Sequence, residues 1–158
     1  MGHSLGIETD AFFETNLAKH YAIGDCNGKM QLAHVARAQA LNVTMQILNK
    51  NPKKINHDHV VKFIHTLPMS YATIGQNKYT LEKKSISFKE SIVTLNHFTG
   101  SAFHHSGNGS MIVYADEEGL ILGAEILAPD AEELIAPIAM ALAAEINAYT
   151  ASQTIMAH

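Results

Sequence analysis

The residues best suited to chemistry in the first part of the chain lie in the stretch YAIGDCNGKMQLAH, residues 21–34. Gly24 can adopt backbone angles closed to other residues, and Asp25 follows a short apolar run at 21–23. A carboxylate at the carboxyl end of a strand, where α/β folds bind ligands, can accept hydrogen bonds from a polyol. Taken alone, the pattern is more often a tight turn that caps a helix.

A second group of candidate residues opens the helix that follows this turn. Gln31, Leu32 and Ala33 stand where the free amides of a first helical turn can face a phosphate or the polar edge of a ring. His34 comes next and can equally be a helix residue bonded to the backbone. Apolar residues at helical spacing predict one buried face, formed by Leu32, Ala36, Ala40, Val43 and Ile47. The first segment is therefore predicted to be strand, loop and helix.

Composition limits the classes of partner. The 158 residues are 47% hydrophobic, enough for a folded core, whereas 16% are charged and the formal net charge is -4. Without a basic run, we expect no binding to nucleic acid or to a membrane surface. The longest apolar run, 134–144, is too short to cross a bilayer. One cysteine and no signal-like start favour a cytoplasmic protein.

The stretch KNPKKINHD marks a boundary between two domains, which we place at 1–50 and 51–158. Beyond it, runs of β-branched and aromatic residues predict short strands over 60–64, 71–74, 85–88 and 92–95. Residues 111–115 and 120–127 predict a hairpin whose acidic turn closes on Gly119. The second domain is therefore predicted to contain a mainly antiparallel sheet.

The sheet is predicted to be followed by one long helix. Asp130 and Glu133 have the spacing of a capping box, which starts a helix at that point. Apolar residues recur every four positions, and Pro137 should bend or delay the first turns; the recurring residues are Leu134, Ile138, Leu142 and Ile146. Sheet and flanking helices together give the α+β class.

Other reactive side chains have patterns that favour structural roles. Cys26 is expected to be a small, buried and inert residue. His57 and His59 stand two positions apart in a polar loop, and His104 and His105 are adjacent. Neither pair has the helical or cysteine-assisted spacing of a zinc site, so we expect no metal.

The pieces occur together in an order that resembles the pyridine-nucleotide disulfide oxidoreductases. The segment TNLAKHYAIGDCNGKMQLAHVA resembles the family's second flavin-binding motif, A-I-G-D followed by L-A-x-x-A. VKFIHTLPMSYATIG is similar to the strand, Thr-x-Pro and glycine at the entry to the family's dimerisation domain. The last forty residues resemble the final hairpin and helix of that domain. The resemblance covers nearly all of the chain after about residue 7 and implies the end of an FAD-binding domain followed by the dimerisation domain.

The resemblance implies specific roles. Asp25, in the motif with Gly24, matches the aspartate that holds the flavin ribitol, and Gln31, Leu32, Ala33 and His34 match the segment beside the flavin ring. His158 matches the histidine of the terminal H-P-T-x-x-E motif, which acts as acid and base on a dithiol across the dimer. The implied cofactors are FAD and NAD. The implied partners are a second copy and a protein carrying a dihydrolipoyl group, or a small disulfide or dithiol.

Departures from the family pattern bear on activity. The first, glycine-rich FAD motif, the nicotinamide domain and the C-x4-C pair are missing, and Cys26 alone supplies no disulfide. This polypeptide is therefore expected to be inactive alone and to be without cofactor. Ser70, Ile74 and Met156 differ from common family residues, which leaves glutathione- or mercuric-reductase-like relatives open. A non-catalytic dimerisation or binding module, complete at His158, is the other alternative.

Overall fold

The computed structural model of the protein describes residues 6–95 and 109–155. The chain divides into two compact units, Met1–His57 and Asp58–His158. Our boundary after residue 50 falls in the irregular stretch that ends the first unit. The two units are described in turn.

The first unit contains a 3-10 turn, Gly24–Asn27, and the helix α1, Ala33–Ile47. The predicted helix is confirmed, but the predicted strand at 21–23 is wrong: only Tyr21 forms a bridge, with Glu14. A strand needs a neighbour for its backbone groups, and the described residues of this unit supply a single paired position. Asp25 consequently lies within a 3-10 turn rather than at the end of a strand.

The buried face of α1 differs from the predicted stripe. The helix buries Val35, Gln39, Asn42 and Val43, whereas the side chain of Ile47 is 61% exposed. The physical reason is that two amides take core positions: Gln39 accepts hydrogen bonds from the Gly24 turn, and Asn42 donates to the carbonyl of Lys53. Because these polar side chains form hydrogen bonds in the core, α1 is oriented with its most apolar face turned away from the core.

The second unit is built on a sheet that, in the described residues, has five strands in the order β1-β2-β5-β4-β3, all pairs antiparallel. The strands are β1 Lys62–His65, β2 Ser70–Gly75, β3 Lys89–Thr94, β4 Ser110–Ala115 and β5 Ile121–Ala128. The predicted antiparallel sheet and its hairpin are confirmed, since β4 and β5 pair across a turn that ends at Gly119. The peptide bond between Leu67 and Pro68, in the β1–β2 turn, is cis.

One predicted strand is wrong. Residues 85–88 form no strand, and a short helix, α2, occupies Lys78–Lys83 just before them. Asn77 caps this helix by accepting a hydrogen bond from the amide of Thr80 at 3.0 Å. Ser85 has a positive φ of 55°, which ends the turn after α2 and delays the next strand to Lys89.

The predicted long helix is divided into three: α3 Ala131–Leu134, α4 Ala136–Ala143 and α5 Ala148–Ser152. The predicted start at Asp130 is confirmed, but the capping box is wrong, because Asp130 has left-handed backbone angles and its side chain caps nothing among the described residues. Its carbonyl accepts instead from the amides of Glu133 and Leu134. Pro137 fits the first turn of α4, and Glu145, with φ of 54°, ends the helical path.

The core of the second unit lies between one face of the sheet and helices α3 and α4. It contains Ala72, Ile74, Ala124, Ile126, Ile135 and Leu142. The predicted helical stripe is only half right: Leu142 lies in the core and Ile138 packs against it, whereas Leu134 and Ile146 are exposed. Alternate strand residues lie on the other face of the sheet, and three of them, Ile64, Leu127 and Ile92, are exposed. We call this the outer face.

Candidate functional site

The 3-10 turn at Gly24–Asn27 places the first candidate residue, Asp25, at the protein surface. Gly24 is buried with φ of +70°, and a Cβ there would lie 3.2 Å from the Cβ of Ala36. Glycine is therefore required both by its backbone angle and by its close approach to α1. Asp25 is exposed, and its carboxylate forms no hydrogen bond to residues 6–95 or 109–155. It is available as an acceptor for hydroxyl donors.

Two buried amides hold this turn against α1. The Oε1 of Gln39 accepts from the amide of Gly24 at 2.7 Å and from the Nδ2 of Asn27 at 2.9 Å. Asn27 also donates to the carbonyl of Ala22 and accepts from the amide of Lys29. Both side chains are almost fully buried, so their hydrogen bonds are expensive to break. The backbone beneath Asp25 is thus firmly positioned.

The second group, Gln31 to His34, spans the start of α1. Gln31, Ala33 and His34 are exposed, and Leu32 is partly buried. Leu32 has extended backbone angles at the N-cap position, and no side chain among the described residues caps the helix there. The structure therefore brings the turn of Asp25 against the body of α1 and leaves the helix start open.

The other reactive side chains differ in where they lie. Cys26 is exposed, so its predicted burial is wrong; the 3-10 turn points its Sγ outward, 3.1 Å from the carbonyl of Ile23. His158 lies outside the described residues, as do His104 and His105. Within the described residues no group of His, Cys, Asp and Glu is arranged to hold a metal ion. No helix of that part is long and apolar enough to cross a bilayer.

A polar cluster that the sequence did not indicate lies on the outer face of the sheet. The hydroxyl of Tyr71 donates to one oxygen of Glu125, and the hydroxyl of Tyr114 donates to the other at 2.6 Å. Burial, together with the hydrogen bond to Glu125, raises the pKa of Tyr71 to about 12. The same causes raise the pKa of Tyr114 further. The two phenols therefore remain protonated donors, and the cluster joins β2, β5 and β4.

Three residues with positional roles were missed from the sequence: Asn27, Gln39 and Asn147. Asn147 caps α5 through a hydrogen bond from the amide of Tyr149 at 2.8 Å. Asparagine before a polar helical stretch is a recognisable capping signal. Gln39 gave a weaker signal, a single amide within an otherwise small and apolar helix face. The bond of Asn27 to the amide of Lys29 is local, but its bonds to Ala22 and Gln39, 5 and 12 positions away, gave no signal.

Comparison with known families identifies the second unit. Residues 60–158 match the family model described as the dimerisation domain of pyridine nucleotide-disulphide oxidoreductases. The chain belongs to this family. The antiparallel sheet with its flanking helices is the fold of that domain.

Relatives of known name extend the similarity over both units. Dihydrolipoyl dehydrogenase of Chlamydia trachomatis is 31% identical over 153 residues, which cover 96% of this chain and 32% of that protein. Trypanothione reductase of Trypanosoma congolense is 28% identical, covering 86% of this chain and 28% of that protein. The crystal structure of LpdA from Mycobacterium tuberculosis aligns with a TM-score of 0.89 at 25% identity, covering 97% and 33%. The chain thus spans about a third of the length of the relatives it matches.

Proposed function

We propose that this chain is the C-terminal part of a dihydrolipoyl dehydrogenase, an enzyme that oxidises a dihydrolipoyl dithiol and reduces NAD. The observation that carries the proposal is the similarity to relatives of that name over 96% of the chain, which includes both units. The substrate gives up two electrons and two protons as its two thiols form a disulfide; NAD accepts a hydride, and one proton is released. The redox-active cysteine pair and the nicotinamide site belong to segments that this chain does not contain.

The residues of the first unit fit one wall of a flavin site. Asp25 presents an exposed carboxylate to hydroxyl donors, which suits a ribitol chain, and Gly24 allows the close approach of the turn to α1. Gln31, Leu32, Ala33 and His34 would lie beside the ring, at a helix start that no side chain caps among the described residues. When bound, FAD supplies electron transfer between the enzyme's redox disulfide and NAD.

The outer side of α1 supports the view that more protein packs on the first unit. Apolar side chains on this helix and at its end are exposed, namely Leu41, Met45, Ile47 and Leu48. Exposed apolar surface of this kind is expected where a packing partner is supplied by another segment.

In the proposed mechanism His158 is the catalytic base. Its imidazole, acting from one subunit of a homodimer on the site of the other, accepts a proton from a substrate thiol. The thiolate formed is the nucleophile that attacks a sulfur of the enzyme's redox disulfide, which is reduced as the substrate is oxidised. We place this activity in the cytoplasm, where thiols stay reduced, as the single cysteine favours.

The test replaces His158 with alanine in the full-length protein. Dithiol-linked turnover should fall by roughly 10²–10⁴-fold, the usual scale for a positioned acid or base. Hydride transfer from NADH through flavin to an artificial acceptor should be largely retained, because it needs no thiol deprotonation. Equal loss of both activities would indicate damage at the dimer interface. Unchanged dithiol turnover would remove His158 from the mechanism.

A second candidate function is a non-catalytic dimerisation module, supported by the match of residues 60–158 to the family's dimerisation domain. A gene whose reading frame continues past His158 with Pro-Thr, and which also encodes the cysteine pair, supports the enzyme. A stop codon directly after His158 favours the module. Substrate comparison in the full-length enzyme distinguishes dihydrolipoyl groups from the disulfides reduced by other members of the family.

A further inference from the structure

We propose that Gln39 is a positioning residue for the flavin site, because its side chain holds the turn that presents Asp25. The inference rests on the proposed function, in which the carboxylate of Asp25 accepts hydrogen bonds from the ribitol of FAD. Gln39 lies on α1 with an exposed fraction of 0%, so it cannot contact a ligand at the surface. Its influence on the site therefore passes through the turn.

The Oε1 atom of Gln39 accepts two hydrogen bonds from the turn. One comes from the backbone amide of Gly24, directly before Asp25, at 2.7 Å. The other comes from the Nδ2 of Asn27, two residues after Asp25, at 2.9 Å. Residues on both sides of Asp25 are thus bonded to one atom, which fixes the backbone from which its carboxylate projects.

Backbone groups set the orientation of the two side-chain amides. The Oδ1 of Asn27 accepts from the backbone amide of Lys29 at 3.0 Å, so its Nδ2 is directed to the carbonyl of Ala22 and to Gln39. Asn27 and the amide of Gly24 both donate, and both therefore need an acceptor on Gln39. A leucine would fill much of the same space but could accept neither bond.

Helix α1 gives Gln39 a rigid base. Val35 and Val43, about one turn before and after it, are buried on the same face. Gly24 packs against this helix, since a Cβ there would lie 3.2 Å from the Cβ of Ala36. The packing contact limits how closely the turn approaches α1, and the hydrogen bonds to Gln39 set its rotation.

The experiment measures FAD affinity in full-length protein from which the flavin has been removed. Gln39→Leu removes the acceptor for the turn. Asn42→Leu is the matched control, because Asn42 is also buried on α1 but donates to the carbonyl of Lys53, outside the turn. Both variants should lower the melting temperature, since each removes a buried hydrogen bond. Only Gln39→Leu should weaken binding, raising the Kd for FAD about 10-fold, because only it releases the Asp25 turn.

A double-mutant cycle shows whether Gln39 acts through Asp25. Asp25→Ala should raise the Kd for FAD by about 10–100-fold, the scale of a lost hydrogen bond to a charged group. In protein that already carries Asp25→Ala, Gln39→Leu should have little further effect, because the carboxylate that it positions is gone. A general loss of structure would instead add to the effect of Asp25→Ala. Additive effects would overturn the positioning role, as would equal losses of affinity in the Gln39 and Asn42 variants.

Gln39→Glu tests the acceptor atom itself. Glutamate has the same length and, ionised or protonated, keeps an oxygen that can accept from Gly24 and Asn27. FAD affinity should therefore be much closer to the wild-type value in Gln39→Glu than in Gln39→Leu. Equal weakening in both variants would show that the acceptor oxygen does not hold the site.

The Asp25→Ala variant separates the two proposals. Weakened FAD binding in Asp25→Ala with normal binding in Gln39→Leu would overturn the role of Gln39 alone. Normal binding in Asp25→Ala would overturn the proposed flavin role of Asp25, and with it that of Gln39.

Discussion

At the residue scale, two tyrosines share one carboxylate on the outer face of the sheet. Tyr71, Tyr114 and Glu125 come from three neighbouring strands, so their hydrogen bonds link β2, β5 and β4 side by side. Tyr114 is nearly fully buried, and its ring also contacts Phe88 edge-to-face at 5.7 Å. Removing a donor from such a group leaves a carboxylate oxygen short of a partner, which is more costly than the bond itself is worth.

The first prediction is that Tyr114→Phe destabilises the protein by about 1–3 kcal/mol, measured by urea unfolding at pH 7. The ring and its packing are kept, so the loss reports the hydrogen bond to Glu125. Tyr149→Phe is the control, because that ring is 73% exposed. A loss of stability no larger than that of the control would show that the hydrogen bond from Tyr114 to Glu125 does not stabilise the protein.

The same cluster predicts a loss of stability in alkali. The pKa of Tyr71 is about 12 in the folded protein and 10.0 for an unperturbed tyrosine, and that of Tyr114 is also raised. A raised folded pKa means that the folded state keeps its proton longer than the unfolded state. The contribution of each phenol is therefore complete below pH 10 and is lost as the pH rises from about 10 towards 12.

Urea unfolding at several pH values between 9 and 11.5 checks this. The free energy of unfolding should fall with pH in the wild type and fall less steeply in Tyr71→Phe, which has one fewer shifted phenol. Tyr149→Phe should follow the wild-type curve. Parallel curves for Tyr71→Phe and wild type would contradict the role of the cluster.

At the element scale, strand β5 needs a glycine, Gly123, beside the point where the chain leaves β2. Gly75 and Gly123 face each other in the sheet, and residue 76 crosses close to β5. A Cβ on Gly123 would lie 2.1 Å from the carbonyl oxygen and 2.6 Å from the nitrogen of Gln76. Those atoms are backbone, so the contact cannot be relieved by turning a side chain.

Gly123→Ala should therefore destabilise the second unit by about 3 kcal/mol or more, at the upper end of overpacking costs. Gly24→Ala is a contrasting variant, since its Cβ would meet only the methyl of Ala36, at 3.2 Å, and its cost comes mainly from the positive φ. That cost should be about 1–2 kcal/mol. Thermal unfolding followed by circular dichroism measures both. Equal effects would mean that the sheet shifts to accommodate the extra methyl group.

At the scale of the whole molecule, the helical side of the second unit leaves apolar side chains exposed. Leu134 and Met140 are 44% and 74% exposed. Exposed apolar residues on a domain of a dimerising type are expected to be covered by a second copy.

We predict that the chain is a dimer at concentrations of tens of micromolar, a practical range for sedimentation velocity. Met140→Lys should shift the distribution towards monomer, because burial of an unpaired charge opposes association. Ile92→Lys, on the outer face of the sheet, is the matched control and should leave the dimer intact. Dimer loss in the control instead would move the interface to that face, and a monomer at all concentrations would contradict the prediction.

The last prediction concerns flavin. In the proposed function, Asp25 and the start of α1 form one wall of a flavin site, and a ligand covered on one side loses most of its burial. The purified chain should therefore be colourless and bind added FAD weakly in a titration of flavin fluorescence. A yellow preparation with stoichiometric flavin would show that this chain contains a complete site.

The sequence by itself determined the elements that rest on local patterns. Alternating apolar residues and a turn ending in glycine defined the β4–β5 hairpin, and helical spacing with a loop before it defined α1, because these signals act over a few residues. Motif order also carried the resemblance to the family, through Gly24, Asp25 and the terminal segment. Local patterns were therefore enough to predict these elements and to carry the resemblance.

Only the tertiary structure decided what the long-range contacts impose. The burial of Gln39 rotated α1 away from its apolar stripe, and the bond from Asn147 to Glu118 joined residues 29 positions apart. The Tyr71–Glu125–Tyr114 cluster depends on strand order, which no local pattern specifies. The strand predicted at 21–23 is not formed for the same reason, since backbone pairing needs a neighbouring strand from elsewhere in the chain. Local propensity does not decide the structure where buried polar groups must form hydrogen bonds with residues that are distant in the sequence.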